Sequence, residues 1–462
     1  MRDLGQHGTL DDLSPEVLSA LQLHTINEPL FPNLQTIELW HVTEKFIPFL
    51  PMFLSPTTTD IEIIFGRSDL PESIVVPVIA TLTTQCPNLQ DICLHPLPRD
   101  PMIAGAVSKM LLASDWNSLQ YFCVQSPLTE EAREVVCKLP NLHVLWVIIE
   151  GPTSFPTMIL PNLTGIDIEY DHDCGWLEGF RGATLGKLAS INFRPTSTLV
   201  GGFLEAFERV ALTTSIPATL SAFEFHTSLS WRPNYHSLLL FTQLKDLDIG
   251  FSCEHGCSST IDDEIITDIA RAMPGLETLR LGGSPCETST GVTTKGLATL
   301  AHCCPRLSRL CIHFQVVSLD PPVIPRTIYD GRPTVPREAC ALIEFDVGEI
   351  PVPEESTLMV ALTLLRIFPH IEYIKYSGGG AWGKVSTAIH RSKQLVHHSG
   401  EKPSFTQPQS EVNNISPRSR ARVCNMIKKY SEVPECSDFV PTPTHFRILP
   451  APHVVSSRRS SQ

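Results

Sequence analysis

FPNLQTIEL at residues 31–39 and CPNLQDICL at residues 86–94 share one phrase, Leu-x-x-apolar-x-apolar, whose recurrence decides the fold. It returns as LPNLHVLWV at 139–147, LPNLTGIDI at 160–168, FTQLKDLDI at 241–249, MPGLETLRL at 273–281 and CPRLSRLCI at 304–312. Fainter copies, with apolar residues at i, i+3 and i+5, are Leu119/Phe122/Val124, Leu188/Ile191/Phe193 and Leu220/Phe223/Phe225. Ile371/Ile374/Tyr376 comes last, and Thr58/Ile61/Ile63 and Cys340/Ile343/Phe345 are degenerate copies. Successive copies begin roughly 28 residues apart on average, a spacing that signals units stacked along one axis.

Positions i+3 and i+5 are two apart, so both side chains fall on one face of a short strand while i+2, i+4 and i+6 face the other way. Helical patterns lie between the strands. Thr260-Ile-Asp-Asp is a capping sequence ahead of EIITDIARAM, and Ser14-Pro15 places a capping residue before a proline at the first helical position. Further candidates are TEEAREVVCKL at 129–139, VGGFLEAFERVAL at 200–212 and TTKGLATLAHCC at 293–304.

Alternating strand and helix allows either a doubly wound sheet or a solenoid. Doubly wound strands are buried on both faces and read as continuous apolar runs. Here the i+4 residues are mostly polar: Glu38, Glu62, Asp167, Asn192, Glu224, Asp248, Arg280, Glu344 and Lys375. One strand face must therefore meet water. The expected fold is α/β, a leucine-rich-repeat solenoid with a curved parallel sheet on the concave side and helices on the convex side. Three buried aliphatic groups contribute only a few kcal/mol per unit, at roughly 1.5–3 kcal/mol each. Ordering some 28 residues costs more, at about 1 kcal/mol or more each, so a lone unit does not fold.

The divisions read from the sequence are an N-terminal cap and helix over 1–30, the repeats over 31–390 and a basic, Pro/Ser-rich tail over 391–462. The tail holds 11 Lys/Arg against 5 Asp/Glu and reads as disordered. Its charge of +6 leaves −20 for residues 1–390, out of −14 in all, so nucleic-acid binding by the body is not expected. No apolar run is long enough to span a bilayer, and the acidic N-terminus has no secretory h-region. Among the 14 cysteines, Cys86, Cys303 and Cys304 precede a repeat, while Cys93, Cys123 and Cys311 fall in strands. They read as reduced, packed thiols in a cytoplasmic or nuclear protein.

GVTTKGLATLAHCCPRLSRLCI at 291–312 resembles the cysteine-containing leucine-rich repeat, and residues 261–281 resemble it more loosely. Together with the opening LFPNLQTIELW and the irregular spacing, residues ~20–380 are similar to the fungal F-box/leucine-rich-repeat proteins. The resemblance implies a substrate receptor of an SCF-type ubiquitin ligase, in which an F-box docks on Skp1 and the repeats hold the substrate. An F-box opens with Leu-Pro-x-Glu and continues through several helices. LSPEVLSAL at 13–21 is similar only to that opening, and the first repeat begins ten residues later. The F-box is expected to be missing, which puts Skp1 in doubt as a partner.

The expected partner-binding surface is the open strand face: Glu38, Trp40, Trp146, Asp167, Glu169, Glu224, His226, Asp246, Asp248, Arg280 and His313. Carboxylates dominate it, so a protein partner with a basic segment fits, with exposed tryptophans as anchors. The alternative reading is an acidic face that serves solubility alone, or a stand-alone scaffold with no ubiquitin role. A competing class rests on SGGGAWGKVS at 377–386, where Gly378, Gly383 and Lys384 fit Gly-x-x-x-x-Gly-Lys but Val385 stands where a phosphate loop needs Ser or Thr. Cys253-Glu-His-Gly-Cys257 and Asp171-His-Asp-Cys174 resemble metal ligands without a paired second half. No hydrolase, zincin or dinucleotide motif is present, so no enzyme activity, cofactor or metal is expected.

Overall fold

A computed structural model describes residues 3–6, 14–24, 29–66, 70–151, 154–172, 174–196, 203–227, 235–251, 261–282, 291–316, 340–348, 350, 352–376 and 380–398. All belong to a unit spanning Met1–Gly400; the second unit, Glu401–Gln462, lies outside the described residues, as do Cys253–Cys257 and Gly378.

The described strands form one 14-stranded sheet. In chain order they are β1 (Asp3–Gln6), β2 (Thr36–Val42), β3 (Asp60–Phe65), β4 (Asp91–His95), β5 (Tyr121–Pro127), β6 (Val144–Ile149) and β7 (Gly165–Tyr170). There follow β8 (Ser190–Pro195), β9 (Ala222–Thr227), β10 (Asp246–Phe251), β11 (Thr278–Leu281), β12 (Arg309–Ile312), β13 (Glu344–Asp346) and β14 (Tyr373–Lys375). Every pairing is parallel and every neighbour in space is a neighbour in sequence. Among these strands the order never reverses, as a doubly wound sheet requires. Right-handed crossovers that all advance the same way lay their helices on one face. This α/β arrangement is consistent with a curved solenoid.

The repeat phrase maps directly onto the core. The anchor leucines Leu89, Leu142, Leu163, Leu244, Leu276 and Leu307 are fully buried, and so are the strand pairs Phe223/Phe225 and Leu247/Ile249. Register aligns these positions across the sheet, with Ile166 beside Ile191, Phe223 beside Leu247, and Leu247 beside Leu279. The asparagine of Pro-Asn-Leu has its own task. Its side-chain amide donates to a backbone carbonyl one repeat back: Asn88 to Pro56 at 3.1 Å, Asn141 to Asn117 at 2.7 Å and Asn162 to Pro140 at 2.9 Å. Cys304, which precedes a repeat, acts similarly, its thiol donating to the Ala270 and Met273 carbonyls.

Helices Pro15–His24, Glu130–Val136, Phe203–Ala211, Asp263–Ala272 and Thr294–Cys303 fall where the capping patterns place them. The cap of Asp263–Ala272 is Asp262, which accepts from the Glu264 and Ile265 amides at 3.0 Å; Thr260 lies outside the described residues. Glu72–Gln85, Pro101–Ala113 and Thr357–Ile367 are helices that the sequence reading did not name. The first contains Pro77 and the other two are apolar on several sides, which blurs the helical period. Other connections are short 3-10 turns, at Ile47–Phe53, Cys174–Phe180 and Tyr235–Leu238.

Two expectations about the repeat copies need correction. The degenerate copy near residue 340 is two residues out of register: Leu310 pairs with Phe345, so Leu342, Phe345 and Val347 are the inward positions, and Ile343 is 42% exposed. In the last copy Tyr376 lies outside the strand and is exposed. The stretch 1–30 contributes a strand, β1, in addition to its helix. Helix Ala381–His398 also runs across the expected repeat–tail boundary at 390, held by buried Trp382, Val385 and Ile389. None of the described helices is long and apolar enough to cross a membrane.

Candidate functional site

On the face opposite the helices, register lines up one side chain per strand. Glu38, Glu62, Cys93, Cys123, Trp146 and Asp167 follow one another from β2 to β7. Asn192, Glu224, Asp248, Arg280 and Cys311 continue the row to β12. Glu169 and His226 stand one step along on β7 and β9, and Asp246 one step back on β10. Trp40 lies near the end of β2, and His313 directly follows β12. With strands about 4.8 Å apart, Glu38 and Arg280 are separated by roughly 40 Å along the sheet. The predicted residues therefore lie on an extended surface, and only part of them forms one cluster.

That cluster spans β7 to β11. Asp167 Oδ2 accepts from Asn192 at 3.0 Å and from Arg194 at 2.9 Å. Arg194 also stacks on the Trp146 ring, 5.3 Å from its centroid. Arg280 lies 3.4 Å from Asp248 Oδ2, and His226 Nε2 lies 3.7 Å from Asp248 Oδ1, beyond hydrogen-bond reach. The His226 ring fits because Gly250 has no side chain: a Cβ there would stand 2.4 Å from His226 Nδ1. Three acceptor oxygens in the row, Asp167 Oδ1, Asn192 Oδ1 and Asp248 Oδ1, are buried with no hydrogen-bond partner among the described residues.

Burial sets the protonation of this cluster. It lifts the Glu224 carboxyl to about 7, with the Asp248 and Asp167 carboxylates adding to the rise. Asp167 rises to about 6, mainly by burial and against the pull of Arg194. Asp248 is also raised by burial, with His226 and Arg280 opposing, while His226 is lowered by burial against Asp248. Asp246 is raised by burial as well. Near neutral pH, Glu224 is thus poised between its charged and neutral forms.

The surface differs from its sequence image in two ways. Trp146 is 2% exposed and Glu169 7% exposed, so neither is an open anchor. Arg99, from the loop after β4, reaches Glu169 on β7, and Gln125 donates to the other Glu169 oxygen at 3.3 Å. Arg194 stacks over the Trp146 ring. Sequence reasoning missed Arg99 and Arg194, because their partners lie in other repeats. The carboxylate excess is also partly neutralised from within, by Arg99, Arg194 and Arg280.

A second grouping escaped the sequence reading. Glu62 on β3 and Cys93 and His95 on β4 bring one donor atom each within 4.8 Å of one another. Cys123 on β5 pairs in register with Cys93. Its thiol hydrogen-bonds that of Cys93 and draws Cys93 down, while burial raises Cys123. The signal was present once repeats are stacked: Glu62, Cys93 and Cys123 all hold position i+4, and His95 holds i+6. Of the two short motifs expected to be incidental, Asp171 uses Oδ1 to accept from the Gly151 amide at 2.9 Å.

At the glycine-rich segment, helix Ala381–His398 already includes Gly383 and Lys384. Lys384 donates to Glu354 at 2.9 Å on the surface, and Val385 is fully buried. A groove of about 510 Å³ beside them is lined by Leu358, Gly380, Gly383, Lys384, Thr387 and Arg391, among others. No protein-family model matches the chain, and no curated protein matches it significantly.

Proposed function

We propose that this chain is a leucine-rich-repeat solenoid acting as a protein-interaction module. Its open, concave strand face receives a basic segment of a partner at Asp167, Asn192, Glu224, Asp248 and Arg280. The observation that carries this reading is the set of three buried oxygens without donors, on β7, β8 and β10. Buried acceptors are normally paired. All three need donors, and the chain's own arginines are spent on other oxygens. A lysine or arginine side chain supplies donors and compensates the carboxylates at once. At the far end of the face, Glu38 on β2 extends the same preference.

By the F-box/leucine-rich-repeat resemblance, such a partner is a substrate presented for ubiquitylation. A stand-alone scaffold is the alternative, and co-purification with Skp1 separates the two. The nucleotide-binding reading finds less support, because Gly383 and Lys384 sit inside a helix and Lys384 is engaged by Glu354. The test is a fluorescence-anisotropy titration with Lys/Arg-rich peptides against acidic peptides of equal length. The expected result is saturable, salt-sensitive binding of basic peptides alone, weakened about tenfold or more by Asp248→Asn, as loss of a charge-assisted bond predicts. Equal binding of both peptide classes, or none of either, would refute the proposal.

A further inference from the structure

We propose that Cys93, His95, Cys123 and Glu62 form a site for a thiophilic divalent metal ion, zinc above all. The argument begins with register. Three adjacent strands each place a donor at the same position on the open face, Glu62 beside Cys93 beside Cys123. His95, two residues beyond Cys93, points to that same face because side chains alternate along a strand. Repeat stacking thus brings three donors together, with the Cys123 thiol on the next strand, although sequence distance keeps them apart.

The donor set decides the ion. Two sulfurs, one imidazole nitrogen and one carboxylate oxygen give a four-coordinate S2NO shell, which suits zinc and disfavours calcium and magnesium. At zinc distances of about 2.0–2.3 Å, tetrahedral donors stand roughly 3.3–3.8 Å apart. The donor atoms of Glu62, Cys93 and His95 all lie within 4.8 Å of one another, so a closing movement of about 1 Å brings these three to bonding distance. Cys123, in register with Cys93 and hydrogen-bonded to it, is the neighbouring thiol that would turn in as the fourth donor. Cys93, His95 and Cys123 are nearly fully buried. Trp146 lies against the imidazole, ring centroids 5.7 Å apart, and Arg194 stacks on Trp146 in turn. That roof and the full set of protein donors define a closed, structural site that ties β3, β4 and β5 together, distinct from the oxygen cluster on β7 to β10.

The test is cobalt titration of the full chain, first stripped with chelator and kept reduced. The expected outcome is one equivalent bound, with a thiolate-to-cobalt charge-transfer band and tetrahedral d–d bands, both abolished by stoichiometric zinc. Cys93→Ser and Cys123→Ser should each weaken the charge-transfer band, and the double substitution should abolish it, with an unchanged circular-dichroism spectrum. His95→Gln should shift the d–d bands while leaving charge transfer in place. Cys253→Ser with Cys257→Ser should change nothing. A wild-type chain that shows no charge-transfer band overturns the proposal without reference to any variant. A band that survives the Cys93→Ser/Cys123→Ser double substitution, or vanishes with Cys253 and Cys257, overturns it too.

Discussion

Glu224 concentrates the electrostatic cost of the open face. Its carboxyl titrates near 7 instead of near 4.5, because burial and two neighbouring carboxylates oppose its charge. Between those values the folded chain keeps a proton that the unfolded chain has released. Stability contributed at this position therefore falls as pH rises from about 4.5 to about 7, and the full penalty persists above that window. Glu224→Gln is expected to flatten that slope and to stabilise the fold by roughly 1–3 kcal/mol at alkaline pH, partial exposure holding the gain at the lower end. Urea midpoints at acid and alkaline pH measure it, and parallel pH profiles for the two proteins would show that Glu224 ionises normally. The same poise links pH to binding. A cation docked beside Glu224 ionises it, so complex formation at neutral pH should release a proton, and calorimetry in buffers of different ionisation enthalpy reads that release directly. Little of this was legible in the sequence. Alternation placed Asp167, Glu224 and Asp248 on one face, but their burial depends on Arg194, Arg280 and the crowding of neighbouring strands. Trp146 shows the limit most clearly: the pattern pointed it away from the core, and it is nonetheless covered, with Arg194 stacked on its ring and His95 lying against it.

At the scale of a strand or helix, the sequence was far more informative, since the spacing i, i+3, i+5 is itself the geometry of one turn and one strand. Leu279 on β11 illustrates the energetic consequence. It is fully buried and lies between Leu247 and Leu310 in register. Leu279→Ala is expected to cost about 2–5 kcal/mol through the cavity left between neighbouring repeats, read as a lowered denaturation midpoint. An unchanged midpoint would contradict the register. The polar joints are smaller. Asn141→Ala removes one side-chain bond to the preceding repeat and should cost about 1 kcal/mol. Asp263 is a stronger joint: it accepts from the Thr293 amide and hydroxyl and from the Gly296 amide at 2.6–3.0 Å, so one repeat caps the helix of the next. Gly296 permits this approach, because a Cβ there would meet Asp263 Oδ1 at 2.4 Å. Where the reading failed, two anchors competed. Cys340 and Leu342 both begin an apolar alternation, and only pairing with Leu310 selects the second. The helices missed at Pro101–Ala113 and Thr357–Ile367 fail for a related reason, their apolar residues being too many to show a period.

For the molecule as a whole, the strictly sequential sheet means that each strand is hydrogen-bonded only to its neighbours in the chain. Stability in such an array is a sum of local interfaces, so damage at one end should stay there. Trp382 offers the cleanest place to test this. It is buried in helix Ala381–His398, its indole donates to the Ile350 carbonyl at 2.6 Å, and its ring meets Phe314 edge-on at 6.2 Å. Trp382→Ala removes a large buried ring and a hydrogen bond, a loss of about 3–5 kcal/mol. If stability is local, amide hydrogen exchange should quicken roughly 100-fold or more in β13, β14 and helix Thr357–Ile367, the elements nearest the lost contacts. Amides of β2 to β6 should keep their protection. A uniform loss across all the strands would mean that the sheet opens as one cooperative unit, and the view of the chain as stacked, separately stabilised repeats would have to be abandoned.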